Sequence, residues 1–301
     1  MSKRRNFSVE ETHDICETYL KTHNRKPIRE KYNCTDKVIV RVLLENQIEI
    51  LHKKTKPVGS GRVYKINDSY FNLNNQSHNS AYILGILASD GCVSSAQNQI
   101  YIELQREDKE ILEKINSELK NERPIKDYFN QSKEYNNSKL YFFSKQIKED
   151  LALYNIVPNK TKECQNKSFM ENIQEQYQID YIRGHFDGDG CIKWTGGSLQ
   201  WQIDSTSLST LKDIQKALLK IGIETKIVKH FEEAKGRNRT IDLYRIYFYG
   251  YGNGVKLYQA FYQEEPSVTL RMNRKQVHFA EMLMKYKSQE TSALNLLKEE
   301  G

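Results

Sequence analysis

One segment of this chain occurs twice, and no other feature restricts its fold as strongly. Tyr82-Ile83-Leu84-Gly85-Ile86-Leu87-Ala88-Ser89-Asp90-Gly91-Cys92 and Tyr181-Ile182-Arg183-Gly184-His185-Phe186-Asp187-Gly188-Asp189-Gly190-Cys191 share Tyr, Ile, Gly, Asp, Gly and Cys at the same offsets, about a hundred residues apart. Self-similarity of this kind marks two copies of one structural unit. The residues downstream of each copy also agree in type. In the first, Ile100-Tyr101-Ile102-Glu103-Leu104-Gln105 alternates apolar and polar residues; in the second, Leu199-Gln200-Trp201-Gln202-Ile203-Asp204 does the same. Period-two alternation predicts strands with one dry face.

Helical spacing comes next, at about Lys109 to Lys120 and Leu208 to Ile221. Leu112, Ile115 and Leu119 in one, and Leu211, Ile214, Leu218 and Leu219 in the other, are placed to cover the dry faces. Further strands are predicted at Ile125 to Phe129, Leu140 to Lys145, Thr225 to Phe231 and Ile241 to Tyr249, each pair succeeded by a closing helix. The expected fold class is α+β, a pseudo-two-fold tandem repeat of α-β-β-α-β-β-α units. Each sheet carries helices on one face and leaves the other open. An open polar sheet face suits a DNA major groove, which admits a two-stranded β-ribbon.

Each repeated segment reads as a helix ending in Asp-Gly with a glycine five residues before the Asp. Glycine inside a helix costs about 0.5–1 kcal/mol relative to alanine, so Gly85 and Gly184 point to close approach of another backbone. If the two helices pack on these small residues, Asp90 and Asp189 meet at the end of a common seam. Two adjacent carboxylates resist joint ionisation unless cations neutralise them. Carboxylate oxygens beside phosphate oxygens are what Mg²⁺ favours.

These segments resemble the LAGLIDADG motif, and the chain resembles a single-chain, two-motif LAGLIDADG homing endonuclease from about Ser80 to about Lys275. The resemblance implies that Asp90 and Asp189 are catalytic, metal-binding acids, with the backbone carbonyls of Ser89 and Gly188 as further ligands. It also implies a basic residue near the scissile phosphate from the last strand of each repeat. Lys145 fits that place in the first copy. Gly250-Tyr251-Gly252 stands there in the second, leaving Lys226 or Lys229 as substitutes and the site asymmetric. Val157-Pro158-Asn159-Lys160-Thr161-Lys162 also looks familiar for the family and begins the connection to the second motif helix. The implied activity is Mg²⁺-dependent hydrolysis of double-stranded DNA at a long asymmetric site under a saddle of two sheets. Such cutting spreads an intron or a free-standing gene. A second function class is a non-cleaving LAGLIDADG-derived transcription factor or RNA maturase, which loss of a motif acid would mark. Neither acid is lost.

The expected divisions are 1–51, a small all-α helix-turn-helix-like domain; 52–79, a basic arm; 80–165 and 166–287, the two repeats; and 288–301, a helical tail. Val9 to His23, Pro27 to Tyr32 and Asp36 to Gln47 read as three helices, the last offering Lys37 and Arg41 to DNA while Val38, Val42 and Leu43 pack inward. The arm carries Lys53, Lys54, Lys56 and Arg62 and suits a phosphate backbone. On the sheets, Tyr101, Glu103, Gln105, Gln200, Gln202, Asp204 and Arg245 are the candidate DNA-reading residues.

A formal net charge of +7 with 19 Tyr and 11 Phe is consistent with a polyanionic, base-stacked partner. The five cysteines form no CxxC pair, which argues against zinc and for a reducing cytoplasm. No apolar run approaches the ~20 residues of a membrane span, and Met1 to Asn6 lead into polar sequence. Two repeats in one chain imply a monomer.

Overall fold

The computed structural model describes residues 7–22, 24–48, 63–130, 135–230, 242–262 and 270–285. They fall into two compact units, Met1–Val63 and Tyr64–Gly301. The first holds α1 (Val9–Thr22), α2 (Lys26–Tyr32) and α3 (Asp36–Glu45). Ile15, Tyr19, Ile28, Ile39, Val42 and Leu43 form its core. Asn33, in the left-handed region at φ 43°, ends α2 and turns the chain toward α3. Ile39, not Val38, faces inward with Val42 and Leu43; Val38 is only half-buried. Lys37 is exposed, and Arg41 is half-buried with Glu45 at 3.8 Å. Lys53, Lys54, Lys56 and Arg62 lie outside the described residues, as does the 288–301 tail.

The second unit contains the duplication. Its first repeat runs α4 (His78–Ser89), β1 (Gly91–Val93), β2 (Gln99–Gln105), α5 (Lys109–Glu118), β3 (Lys126–Asn130), β4 (Tyr135–Phe143) and α6 (Lys145–Leu153). After the short α7 (Lys160–Glu163), the second runs α8 (Gln178–Asp189), β5 (Gly190–Thr195), β6 (Ser198–Ser205), α9 (Leu208–Lys220), β7 (Lys226–His230), β8 (Leu243–Tyr249) and α10 (Tyr251–Tyr262). A last helix, α11, spans 273–285. The fold is α+β with two antiparallel four-stranded sheets, ordered β1-β2-β4-β3 and β5-β6-β8-β7.

Their registers correspond. Gly91 pairs with Ile102 and Ile102 with Leu140; Gly190 pairs with Ile203 and Ile203 with Ile246. The β5–β6 turn places Gly196 and Gly197 at φ +57° and +76°, the doubly left-handed turn that glycines permit. Ile100, Ile102 and Leu104 are buried in the first sheet and Leu199, Trp201 and Ile203 in the second, where Trp201 stacks on Phe186 of α8 and Leu199 lies against Gly254 of α10. Leu219, expected in the second cover, is 59% exposed. It lies off the stripe that Leu211, Ile214 and Leu218 present to the sheet.

Polar and small residues at helix starts set the entries. Ser77 caps α4, accepting from the Ser80 N–H at 3.1 Å while its own N–H donates to Ser80 Oγ at 2.7 Å. Ser207 accepts from the Thr210 N–H at 3.1 Å at the start of α9. The stretch 64–77, expected to close a free basic arm, is instead packed into this unit. Phe71 is buried, the Asn67 N–H donates to the Leu119 carbonyl at 3.0 Å, and Tyr70 Oη donates to Glu118 at 2.9 Å. Among the described residues, no helix is long and apolar enough to cross a membrane.

Candidate active site at the helix seam

Helices α4 and α8 bury nearly every residue, Ser80–Ala88 in one and Asp180–Asp187 in the other. A helix without a polar face sits at the centre of its domain. The glycines explain the closeness: a Cβ on Gly85 would collide with the Tyr181 carbonyl oxygen, and one on Gly184 with the Tyr82 carbonyl oxygen. The seam therefore ends with both Asp-Gly turns side by side. A Cβ on Gly188 would lie 2.6 Å from Asp90 Oδ2, so the Asp90 carboxylate leans across onto α8.

Burial, and then the charge of Asp189, pushes the Asp90 carboxyl up to about 6. Burial pushes Asp189 up as well, opposed by the ammonium groups of Lys160 and Lys275. These two lysines are the basic members of the site, and sequence reasoning missed both in that role. Lys160 donates to the carbonyl of Gly91 and Lys275 to that of Gly190, the residues directly after the two acids. Burial pushes both ammonium groups down, against the pull of nearby carboxylates. The signal was an asparagine shortly before a lysine after the closing helix of each repeat, Asn159-Lys160 and Asn273-Arg274-Lys275.

Lys145 does not join this group. It opens α6, is 77% exposed, and faces Glu149 one helical turn on at 3.5 Å. Lys226 is exposed, and Lys229 is paired with Asp242 at 2.7 Å. The lysines are thus placed symmetrically, one on the carbonyl after each acid, contrary to the expected asymmetry, and the charge of each acts on both acids. A cavity of about 170 Å³ beside Asp189 is lined by Ser89, Lys160, His185, Asp204 and Thr206 among others. At roughly 30 Å³ per water it holds several waters or a hydrated cation. His185 is buried, pushed down to about 4 by burial, and lies 3.3 Å from Tyr181 Oη, so it is a neutral packed histidine.

The donor set fits a hard divalent cation. Two carboxylates lie at the C-terminal ends of helices, where the last carbonyls, including those of Ser89 and Gly188, lack helical partners and the dipole favours cations. Among the described residues no cluster of three His, Cys, Asp or Glu could hold a metal by itself. An ion here would keep waters and share phosphate oxygens, as Mg²⁺ does.

On the sheets, Lys139 lies 3.2 Å from Glu103 and 3.5 Å from the centre of the Tyr101 ring. In the second sheet Arg245 grips Asp204 with two hydrogen bonds of 2.6 and 2.7 Å. Glu103 opposite Lys139 and Asp204 opposite Arg245 occupy equivalent register positions. Gln105 is exposed at the end of β2. Gln200 and Gln202 differ from expectation: both are buried, their amides 3.0 Å apart, because Tyr249 and Tyr247 stand directly opposite them.

Comparison with known proteins bears on this site. Residues 176–278 match the LAGLIDADG-like domain and residues 79–153 the WhiA LAGLIDADG-like domain. The chain is a two-motif protein of the LAGLIDADG family, one domain in each repeat. It is similar to ribonucleoside-diphosphate reductase NrdEB subunit alpha of Bacillus subtilis, 26% identical over 163 residues that make up 49% of this chain and 15% of that protein. An uncharacterised protein of Methanocaldococcus jannaschii, MJ0314, is 25% identical over 164 residues, 51% of this chain and 54% of that one. The alignments thus span about half of this chain and less than two thirds of either relative. Among solved structures, meganuclease I-SmaMI bound to uncleavable DNA superposes at a TM-score of 0.46 and 11% identity, over 71% of this chain and 91% of that one. Homing endonuclease I-LtrWI bound to target DNA superposes at 0.42 and 13%, over 75% and 92%.

Proposed function

We propose that this protein is a site-specific double-strand DNA endonuclease that hydrolyses phosphodiester bonds with Mg²⁺ at a long asymmetric target, acting as a monomer and promoting the mobility of an intron or a free-standing gene. The observation that carries the reading is the symmetric arrangement at the seam, where Asp90 and Asp189 meet Lys160 and Lys275, one lysine on the carbonyl after each acid. It supplies one acid and one half-buried lysine for each DNA strand.

In this reading Asp90 and Asp189, with the Ser89 and Gly188 carbonyls, hold the metal. When bound, the cation supplies an activated water and neutralises charge at the scissile phosphate. Lys160 and Lys275 place ammonium donors beside the phosphate. Burial lowers the cost of moving a proton from either of them at neutral pH. Tyr101, Glu103, Lys139, Asp204 and Arg245 line the open sheet faces and read bases and phosphates, with Gln105 at the edge. Gln200 and Gln202 buttress these neighbours. The three-helix unit adds a second DNA contact through Lys37 on α3, in the manner of a helix-turn-helix, and the basic residues 53–62 follow the backbone between.

The test is cleavage of a plasmid library in Mg²⁺ by the full chain, compared with Asp90→Asn and Asp189→Asn. The expected result is linear product from the native protein and none from the double variant. A native protein that binds duplex DNA and never cuts overturns the nuclease reading in favour of a non-cleaving DNA-binding member of the family.

A further inference from the structure

The lysines match, but the groups that hold them do not. Residues 272–275 are anchored one after another. The Met272 N–H donates to the carboxylate of Asp187 at 2.8 Å. Asn273 donates to Glu110 at 2.8 Å. The Arg274 guanidinium forms a two-point pair with Asp108 at 3.1 and 2.7 Å. Lys275 then reaches the Gly190 carbonyl. Glu110 and Asp108 both belong to the first repeat, at the start of α5.

Asp187 is itself shared between repeats. It is buried, two residues before Asp189, and accepts from Tyr82 Oη on α4 at 2.7 Å and from Tyr262 Oη at 3.3 Å. At the equivalent place in the first repeat stands Ala88, and Tyr181, the counterpart of Tyr82, turns to His185 instead. The stretch after Lys160 docks through neutral groups: Ser207 Oγ donates to the Lys167 carbonyl at 2.6 Å, Ser209 Oγ to the Asn166 carbonyl at 3.1 Å, and the Phe169 N–H to Thr210 Oγ1 at 3.0 Å. Asp108 and Ser207 immediately precede α5 and α9, so each strap docks at the same place on the opposite repeat. At that place only one uses charge; the ion pair of Glu175 with Lys220 at 2.8 Å lies at the far end of α9 and is exposed.

We propose that Asp187 and Arg274 are positioning residues that clamp residues 272–275 onto α8 and the first repeat and thereby present Lys275, but not Lys160, to the active site. Charge-assisted hydrogen bonds are stronger than neutral ones and a two-point pair also fixes orientation, and removing the partner of a buried carboxylate such as Asp108 leaves it unsatisfied. Losing the clamp frees one lysine while the other stays seated. This inference rests on the nuclease reading only for its catalytic consequence, since the placement of Lys275 can be read on the protein alone.

The first measurement is labelling of lysine amines in the full chain with an acetylating reagent, tracked residue by residue by mass spectrometry. Native protein, Arg274→Met and Asp187→Ala are compared at a temperature where melting curves show each is folded. Lys275 labelling is expected to rise at least tenfold in both variants while Lys160 labelling stays within about twofold. Equal rises at both lysines, or none at Lys275, overturn the clamp. The second measurement uses a duplex labelled on each strand. Arg274→Met is expected to slow one strand at least tenfold, the same strand that Lys275→Met slows, and to leave the other strand and the KM near native. If Lys275→Met becomes strand-selective while Arg274→Met and Asp187→Ala cut both strands in the native ratio, the clamp fails and the nuclease reading stands. A native protein that never cuts, with Lys275 labelling still released as expected, sinks the nuclease reading and leaves the clamp.

Discussion

Gly85 and Gly184 face each other's helices at the crossing of α4 and α8, each directly against a carbonyl oxygen, Tyr181's and Tyr82's respectively. Neither position has room for a methyl group, and the obstacle in both cases is backbone. Alanine gains up to about 1 kcal/mol over glycine in helix propensity. Forcing two central helices apart costs typically 1–3 kcal/mol or more, because the surrounding core is rigid. Gly85→Ala and Gly184→Ala are each expected to destabilise the second unit by roughly 1–3 kcal/mol in denaturant unfolding. A stabilised variant would show that the seam is looser than the contact demands.

Asp90 and Asp189 store a cost that a bound cation would relieve. Asp90 ordinarily titrates near 3.8 and is raised to about 6, first by burial and then by Asp189. The folded state therefore binds more protons than the unfolded chain between those values, and stability falls as pH rises through that window. Above about pH 6 the cost is fully present, on the order of 2–3 kcal/mol for a shift of this size. Asp90→Asn is expected to raise the melting temperature at pH 8 in EDTA. Mg²⁺ should raise that of the native protein at pH 8 more than at pH 5, and should do little for the Asp90→Asn, Asp189→Asn double variant. Identical metal shifts in native and double-variant protein would place the ion elsewhere.

Lys145 and Lys160 separate a sequence argument from a structural one. Lys145 sits at the predicted place after the last strand, yet its ammonium is solvated and next to Glu149. Lys160 lies in the strap, half-buried, on the Gly91 carbonyl. Lys160→Met is expected to lower kcat at least a hundredfold with little change in DNA affinity. Lys145→Met should stay within about threefold on both measures. Strand-resolved single-turnover kinetics decide between them.

Periodicity marks the part of the fold that was legible in the sequence. The motif helices could be placed because the same residues recur at the same offsets, and the glycines carried the seam because close backbone approach leaves few alternatives. Strands β2 and β6 were readable from alternation, though not the burial of Gln200 and Gln202. That burial depends on which β8 tyrosines stand opposite them, and pairing partners are non-local. The lysines were harder still. Asn159-Lys160 and Asn273-Arg274-Lys275 lie in straps with no period, and what makes them catalytic candidates is docking against the opposite repeat. Asp187 stands where the first copy has Ala88. Its work in holding Met272 depends on a residue 85 positions downstream, which local pattern does not encode.

Arg245 and Asp204 form the last testable pair. Two hydrogen bonds hold the guanidinium plane, and an oriented arginine can reach the O6 and N7 acceptors of guanine from the major groove. The same carboxylate lies on the open side of the sheet and raises the proton affinity of Asp189 by its charge, so it would repel phosphate as it orients the arginine. Affinity and discrimination should therefore separate. Arg245→Ala is expected to cost about 1–3 kcal/mol on the cognate site and to relax preference at one base pair. Asp204→Asn removes a negative charge and loosens the guanidinium: binding to random duplex should tighten severalfold while the cognate-to-random ratio falls. Binding titrations across a salt series, on cognate duplex and on variants of each base pair, read both quantities. If Asp204→Asn tightens cognate and random duplex equally, Asp204 acts on Arg245 only as a counter-charge and contributes nothing to base choice.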